Sequence, residues 1–303
     1  MNQACFGVDI GGTSVKLGLV SRSGELLTKV EFPSEKEQCA MFDEIAAQIQ
    51  SIRDRFPLVE CVGVGVGVPG PVLEQKRVLG CVNLNWGEID VSQELSSRLS
   101  LPVRVENDAN LATLGEMWQG AGQGHRNLVM LTVGTGVGAG VIADGRIIDG
   151  CVGAAGEAGH IPMPYHTDWS CSCGKTGCLE VTASATGIIR AAKEYAPFKD
   201  MLSVTAKDVF DAAKAGNEDA QRVVDEAGAC LGMATAMIGC IVNPELFLIG
   251  GGVSAAGRML LTPIEEAYRK WVFAPCRNAR FALAELGNNA GIYGGAGLFF
   301  CQA

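Results

Sequence analysis

His160 is followed after eleven residues by Cys171, and then by Cys173 and Cys178. Three thiols and one imidazole within nineteen residues can close a tetrahedral Cys3His site, the donor set of structural zinc. Gly174 and Gly177 let the backbone curl so that Cys173 and Cys178 face one ion. Most free cysteines are small buried hydrophobes, but these cluster in a polar, glycine-rich loop, and the expectation is a structural Zn2+. Glu157 lies three residues before the histidine, so the ion would steady a carboxylate-bearing loop. Glu180 flanks the loop on its other side, and two acids held near a rigid knuckle can grip the hydroxyls of a sugar. Taken alone, Glu180 reads as a plain helix-start carboxylate. His166 is the one substitute for His160 and reads as a loop residue; His125 reads as surface.

A second kind of chemistry sits in the glycine turns. Asp9-Ile10-Gly11-Gly12-Thr13 ends an apolar strand with a carboxylate and turns on two glycines whose bare N–H groups can approach a phosphate. Asp9 can then orient a phosphate-bound Mg2+ through water. Gly134-Thr135-Gly136 offers a second cradle of the same type. Gly250-Gly251-Gly252 follows a strand and suits a base or ribose that needs close backbone approach. Asn107-Asp108-Ala109-Asn110 lies between strand and helix, where ligand clefts of α/β proteins open. Capping the helix accounts for one of Asn107 and Asp108 but not for three polar side chains in four positions, and a cleft Asp is an acceptor for a substrate hydroxyl proton. The helix N-terminus favours its ionised form. Asn83-Leu84-Asn85-Trp86 reads equally as an asparagine turn or a ligand loop.

These residues need a frame. Val8 to Thr13 is followed by a strand-like Ser14 to Val20 and a turn at Ser23-Gly24, and Leu131 to Gly136 by Val137 to Ala143 and a turn at Asp144-Gly145. Each is a strand, a Gly/Thr hairpin, a strand with a central glycine (Gly18, Gly140) and another turn, the mark of a duplicated α/β unit holding a nucleotide between two hairpins. Periodicity predicts helices over 41–55, 183–195, 205–215, 218–242 and 261–272, another starting near Asp108, and strands over 61–68, 101–106 and 246–249. The order alternates α and β.

The chain has 303 residues, enough for two domains. Its net charge of −9, with no Lys/Arg block, argues against a nucleic-acid partner. No signal peptide is read ahead of Cys5, and scattered thiols such as Cys61, Cys81 and Cys230 read as packing in a reducing cytoplasm. The uncharged run Ala227 to Val242, sixteen residues, falls short of the ~20 a membrane span needs and is expected to be a buried helix.

The sequence resembles ROK-family sugar kinases, and among them the glucokinases, along essentially its whole length. The matching pieces are Asp9 to Thr13, Glu106 to Asn110 with Leu114 to Trp118, the stretch from Leu131 through Gly134-Thr135-Gly136 to Gly156-Glu157-Ala158-Gly159-His160, Cys171 to Glu180, Ala183 to Gly187, and Gly250 to Ser254. The resemblance implies an α/β, actin-like (ribonuclease-H-like) duplicated ATPase fold whose two domains close on Mg-ATP and a hexose. The boundary is expected near 107, with 1–107 plus the C-terminal helix 291–303 forming a small domain, and 108–290, carrying the zinc loop, a large one.

The same resemblance makes Asp108 the base for the sugar 6-hydroxyl. It places Gly70, Asn83, Asn107, Glu157, His160 and Glu180 with Asp108 around the sugar. Asp9, Gly11, Gly12, Thr13, Lys16, Gly134, Thr135, Gly136, Gly251 and Gly252 go to the nucleotide. His160 would serve both zinc and a hydroxyl, and a homodimer is expected. Two positions depart from the glucokinase pattern: Asn85 stands where the sugar loop usually has Gly, and Ala158 where the zinc-loop motif often has Ile. Neither change removes a functional side chain; Asn85 bears on sugar choice.

The expected activity is ATP-dependent phosphorylation of D-glucose, with an N-acetylmannosamine kinase as the alternative within the fold. A sugar-responsive repressor would carry a DNA-binding domain before the first turn, where eight residues precede Asp9. An actin-like or chaperone ATPase would need neither the cysteines nor the Asn107-Asp108 pair.

Overall fold

Residues 2–35, 37–81 and 84–301 are described in a computed structural model; Asn83 lies outside them. In chain order the elements begin with β1 (Asn2–Ile10), β2 (Ser14–Ser21), β3 (Leu26–Pro33), α1 (Gln38–Arg55), β4 (Val59–Val68), β5 (Val72–Leu73), β6 (Arg77–Val78), β7 (Ile89–Asp90), α2 (Val91–Leu99), β8 (Val103–Asn107) and α3 (Asp108–Gln119). They continue with β9 (Leu128–Val133), β10 (Val137–Ala143), β11 (Arg146–Ile147), α4 (Leu179–Ala183), α5 (Ala185–Ala192), α6 (Ala206–Lys214), α7 (Glu218–Val242), β12 (Leu246–Gly250), α8 (Arg258–Trp271), β13 (Arg280–Leu283) and α9 (Ala290–Phe300).

Two five-stranded sheets carry the fold, ordered β3-β2-β1-β4-β8 and β11-β10-β9-β12-β13. Numbered from its own first strand, each reads third, second, first, fourth, fifth. The duplication expected from the two glycine turns is therefore a duplication of topology, and the fold is the actin-like, ribonuclease-H-like α/β ATPase fold. β1 pairs antiparallel with β2 and parallel with β4, and β4 parallel with β8.

The sequence of β4 explains how the first sheet is covered. Glycines 63, 65 and 67 alternate with valines 64, 66 and 68. The valines enter a buried cluster with Phe6 and Val8 of β1 and with Met41, Phe42, Ile45, Ile49 and Ile52 on one face of α1. Each such side chain contributes roughly 1.5–3 kcal/mol of transfer free energy. The glycine face receives α9 at backbone distance: a Cβ on Gly65 would collide with the carbonyl of Gly295. On its flank α9 meets α3 just as closely, since a Cβ on Gly294 would strike the carbonyl of Leu111.

That packing moves the expected domain boundary. One compact unit is Met1–Arg126, Gly140–Gly156 and Leu286–Ala303; the other is Asn127–Ala139 and Glu157–Glu285. Helix α3, assigned to the large domain when the boundary was set at 107, belongs with the first unit because α9 lies along it. The C-terminal helix α9 lies in the first unit.

In the second unit α7 is the long buried helix anticipated. By length and composition it could cross a membrane, with mean hydropathy 1.3 over 18 residues, but 61% of that window is buried in the protein. Asn217 caps its start, accepting the Ala220 N–H at 2.8 Å.

Candidate active site

In the first unit, Asp9 lies one residue before the end of β1 and pairs in register with Lys16 of β2. The turn between them closes through the Gly11 N–H, which donates to the Ser14 carbonyl at 3.0 Å, while the Ser34 hydroxyl donates to the Gly11 carbonyl at 2.6 Å. Gly12 and Thr13 are exposed at the tip. Burial pushes the Asp9 carboxyl above its usual range, against the pull of Lys16. A carboxylate at the foot of an exposed glycine turn is the arrangement that accepts a phosphate with its divalent ion.

At the end of β8 the capping question resolves. Asn107 is the N-cap of α3: its Oδ1 accepts the N–H groups of Ala109 at 2.9 Å and Asn110 at 3.2 Å. Its Nδ2 donates to the Gly70 carbonyl at 3.3 Å, which ties the loop after β4 to the start of the helix. Asp108 is then the first residue of α3, with Oδ1 accepting the Ala109 N–H at 2.8 Å. The cap being supplied by Asn107, the Asp108 carboxylate is held at a helix N-terminus, the end that favours an anion. Gly70 itself is fixed by contact, because a Cβ there would meet the Gly80 carbonyl.

Past the unplaced Asn83, Cys81 and Trp86 exchange backbone hydrogen bonds of 3.0 Å, and the buried Trp86 ring packs on Phe42 at 5.5 Å. Asn85 has φ 54°, in the left-handed region. Asparagine tolerates that region better than most residues, so it takes the conformation a glycine would take without moving Trp86.

In the second unit, the turn between β9 and β10 is held from three directions. The Gly134 N–H donates to the Gly136 carbonyl at 2.9 Å, the Gly134 carbonyl accepts the Ala185 N–H at 2.8 Å, and the Thr135 carbonyl accepts the Thr186 hydroxyl at 3.0 Å. The Glu180 carboxylate accepts the Val137 N–H at 3.0 Å, and a Cβ on Gly136 would collide with it. Gly251, at φ 81°, lies against the Val133 carbonyl at the end of β9. Gly251 accepts the Ser254 hydroxyl at 2.7 Å and opens a short 3-10 turn at Gly252–Ala256. The grip of Ala185, Thr186 and Glu180 on the turn was not anticipated from sequence. Its only signal is their place in the stretches that carry the family resemblance.

His160, Cys171, Cys173 and Cys178 converge, their ligand atoms all within 4.8 Å of one another. Zinc bonds of about 2.3 Å to sulfur and about 2.0–2.1 Å to nitrogen set tetrahedral edges of about 3.8 Å between sulfurs and about 3.6 Å between sulfur and nitrogen. The chain holds Cys173 and Cys178 Sγ at 3.7 Å, and Cys171 Sγ and His160 Nδ1 at 3.6 Å. The donor set and its spacing thus fit Zn2+. The Lys175 backbone N–H lowers the Cys173 thiol, while burial and the neighbouring thiols push Cys178 up to about 12, a crowding that a cation relieves. His160 presents its other nitrogen, Nε2, to Glu157 at 3.8 Å.

His166 is engaged elsewhere, stacked on Trp169 at 3.6 Å with Nε2 2.5 Å from Glu226. It is no member of the metal cluster.

The chain matches the ROK family over residues 5–301. It belongs to the ROK family. Among curated ROK relatives, a glucokinase of Halalkalibacterium halodurans is 41% identical over 96% of this chain and 93% of its own. A glucokinase of Thermotoga maritima is 36% identical over 97% and 96%. Among solved ROK structures, a glucokinase from Streptomyces griseus in complex with glucose and AMPPNP superposes with TM-score 0.80 at 31% identity, covering 97% of this chain and 98% of that one.

Proposed function

We propose that this chain is an ATP-dependent glucokinase that transfers the γ-phosphoryl group of ATP to the 6-hydroxyl of D-glucose. The observation that carries the reading is the division of labour at the start of α3. Asn107 supplies the helix cap, and the adjacent Asp108 carboxylate, oriented by the Ala109 N–H at the first residue of α3, is the group that receives the proton. Near full-length similarity to glucokinases of three genera supports the choice of sugar.

In the reaction the sugar O6 forms a bond to the γ-phosphorus as the bond to the β,γ-bridging oxygen breaks. The O6 proton passes to Asp108, and ADP leaves. Such a loose transition state asks for positioning more than for a strong base. Gly11, Gly12 and Thr13, assisted by Lys16, and Gly134, Thr135 and Gly136 supply the phosphate cradles, and Gly251 and Gly252 the close backbone for the nucleoside. Mg2+, when bound with ATP, neutralises phosphate charge, and Asp9 is the carboxylate placed to orient it through water. Asn83, Asn107, Glu157, His160 and Glu180, with the Gly70 backbone, address the sugar hydroxyls. Zn2+ on His160, Cys171, Cys173 and Cys178 keeps the Glu157–His160 turn rigid. The family resemblance extends the reading to a homodimer, which sedimentation velocity tests.

The deciding experiment measures ADP release with Mg-ATP against glucose, N-acetylmannosamine, mannose, fructose and allose. A kcat/KM for glucose at least tenfold above the rest, a gap of about 1.4 kcal/mol in transition-state binding, is the expected outcome. A preference for N-acetylmannosamine would replace the substrate and keep the mechanism.

A further inference from the structure

Beside the proposed base, and assigned no part in the reaction above, lies a buried acid that faces another acid. Glu106, the residue before Asn107 on β8, is 2% exposed. Its Oε1 accepts the Asn107 backbone N–H at 2.7 Å and the Asn110 Nδ2 at 3.0 Å. It therefore holds both the first and last residues of the Asn107–Asn110 segment. Its neighbour within hydrogen-bonding reach is the carboxyl of Asp149, in the same unit. Asp149 Oδ1 is buried and, among the described residues, no N–H or other standing donor reaches it.

Two carboxylates are both acceptors and repel. The contact holds together only if one proton lies between them. We propose that Glu106 and Asp149 share one proton, Glu106 donating to Asp149, and that this protonated brace positions the Asn107-Asp108 turn for the kinase reaction proposed above. Loss of the proton to solvent leaves the buried Glu106 anion against the half-buried Asp149 anion and loosens the turn.

The surroundings agree with this assignment. Burial first, and the Asp149 charge second, push Glu106 up to about 8, although the N–H groups of Asn110 and Asn107 pull the other way. Asp149 is raised by burial and held back by its hydrogen bond from Glu106. Among the described residues, no cation is paired with either acid. Arg104, two residues back on β8, donates to the Leu298 carbonyl and lies over the Phe299 ring at 4.7 Å. Asp9 is level with Glu106 two strands away, across Gly67. On α3 the charged residues are Asp108, whose Oδ1 accepts the Ala109 N–H, and Glu116 at the far end, which accepts the Ala121 and Leu286 N–H groups. Helix α9 carries no charge.

The sign of the linkage follows. With its proton held more tightly in the folded state, Glu106 contributes stability that is complete below the ordinary carboxylate range. That stability is lost as pH rises toward about 8. Glu106→Gln reproduces the protonated acid, its amide oxygen accepting from Asn107 and Asn110 and its NH2 donating to Asp149. Asp149→Asn instead gives Glu106 a donor that satisfies the carboxylate.

The test is the thermal midpoint of wild type and both variants from pH 5 to 8.5, read without any kinase assay, followed by kcat across the same range. Between those limits wild type should lose at least about 3 °C relative to each variant. Its kcat should fall on the alkaline side where theirs holds level. Midpoint curves parallel to within about 1 °C in whichever variants fold would overturn the shared proton. Diverging midpoints with identical kcat profiles would overturn the positioning role alone. Absence of turnover on every sugar would count against the glucokinase reading and leave the midpoint test standing.

Discussion

The Glu180 carboxylate accepts the backbone N–H of Val137 at 3.0 Å, across 43 residues of sequence, so the first turn of α4 fixes the end of the Gly134–Gly136 turn. A residue expected to serve the sugar also shapes the turn proposed as a phosphate cradle. A charge-assisted hydrogen bond is worth about 1.5–3 kcal/mol. Glu180→Ala should therefore raise the KM for ATP by about tenfold or more, and the split between the KM values for ATP and for glucose checks it. An effect on glucose alone would sink the structural part of this assignment.

Asp108→Asn keeps an acceptor for the Ala109 N–H and removes the base. General-base contributions run to about 10²–10⁴-fold, so kcat should drop into that range. Glucose binding by calorimetry should stay within about threefold, since the side chain keeps its shape and its bond to Ala109. Retention of a tenth or more of kcat would remove Asp108 from the role.

Cys173→Ser takes one corner from the metal tetrahedron. Zinc content, measured by atomic emission, should fall from one equivalent to a small fraction, and the KM for glucose should rise because Glu157 and His160 lose their anchor. Full zinc occupancy in this variant would reassign the ligands.

Asp9→Asn should separate stability from activity. Burial raises the Asp9 pKa, so its protonated form is favoured by folding and its ionised form opposes folding. The amide removes that cost. The variant should melt higher than wild type at pH 8, by an amount that shrinks as pH falls through the carboxylate range, while Mg-ATP turnover falls by more than tenfold. Calorimetric scans with magnesium omitted give the first quantity and steady-state kinetics the second.

What could be read in advance was what is local. The four residues proposed to hold zinc lie within nineteen residues of one another, and the two glycine turns proposed to hold phosphate stand out because their glycines, and the carboxylate of the first, fall within five residues. Long periodic helices such as 218–242 were found almost to the residue. Several contacts depend on elements that only folding brings together, and these were not legible. Nothing in the spacing says that Glu180 reaches Val137, that Asp149 faces Glu106, or that α3 belongs with α9. For the last, the contact is a bare Cα of Gly294 on the carbonyl of Leu111, and glycine leaves no hydrophobic pattern to read. The small β5-β6-β7 sheet also escaped notice, its strands being two residues each.

The seating of α9 on the glycine face of the first sheet sets an order of events during synthesis. Strands β1, β2 and β4 leave the ribosome before the second unit, yet the helix that covers Gly7 and Gly65 leaves after it. The second unit, built from residues up to 285, has its full complement of segments before that helix exists. The nascent chain therefore carries an uncovered sheet face while the whole second unit is made, and the unit that is begun first is the one that matures last.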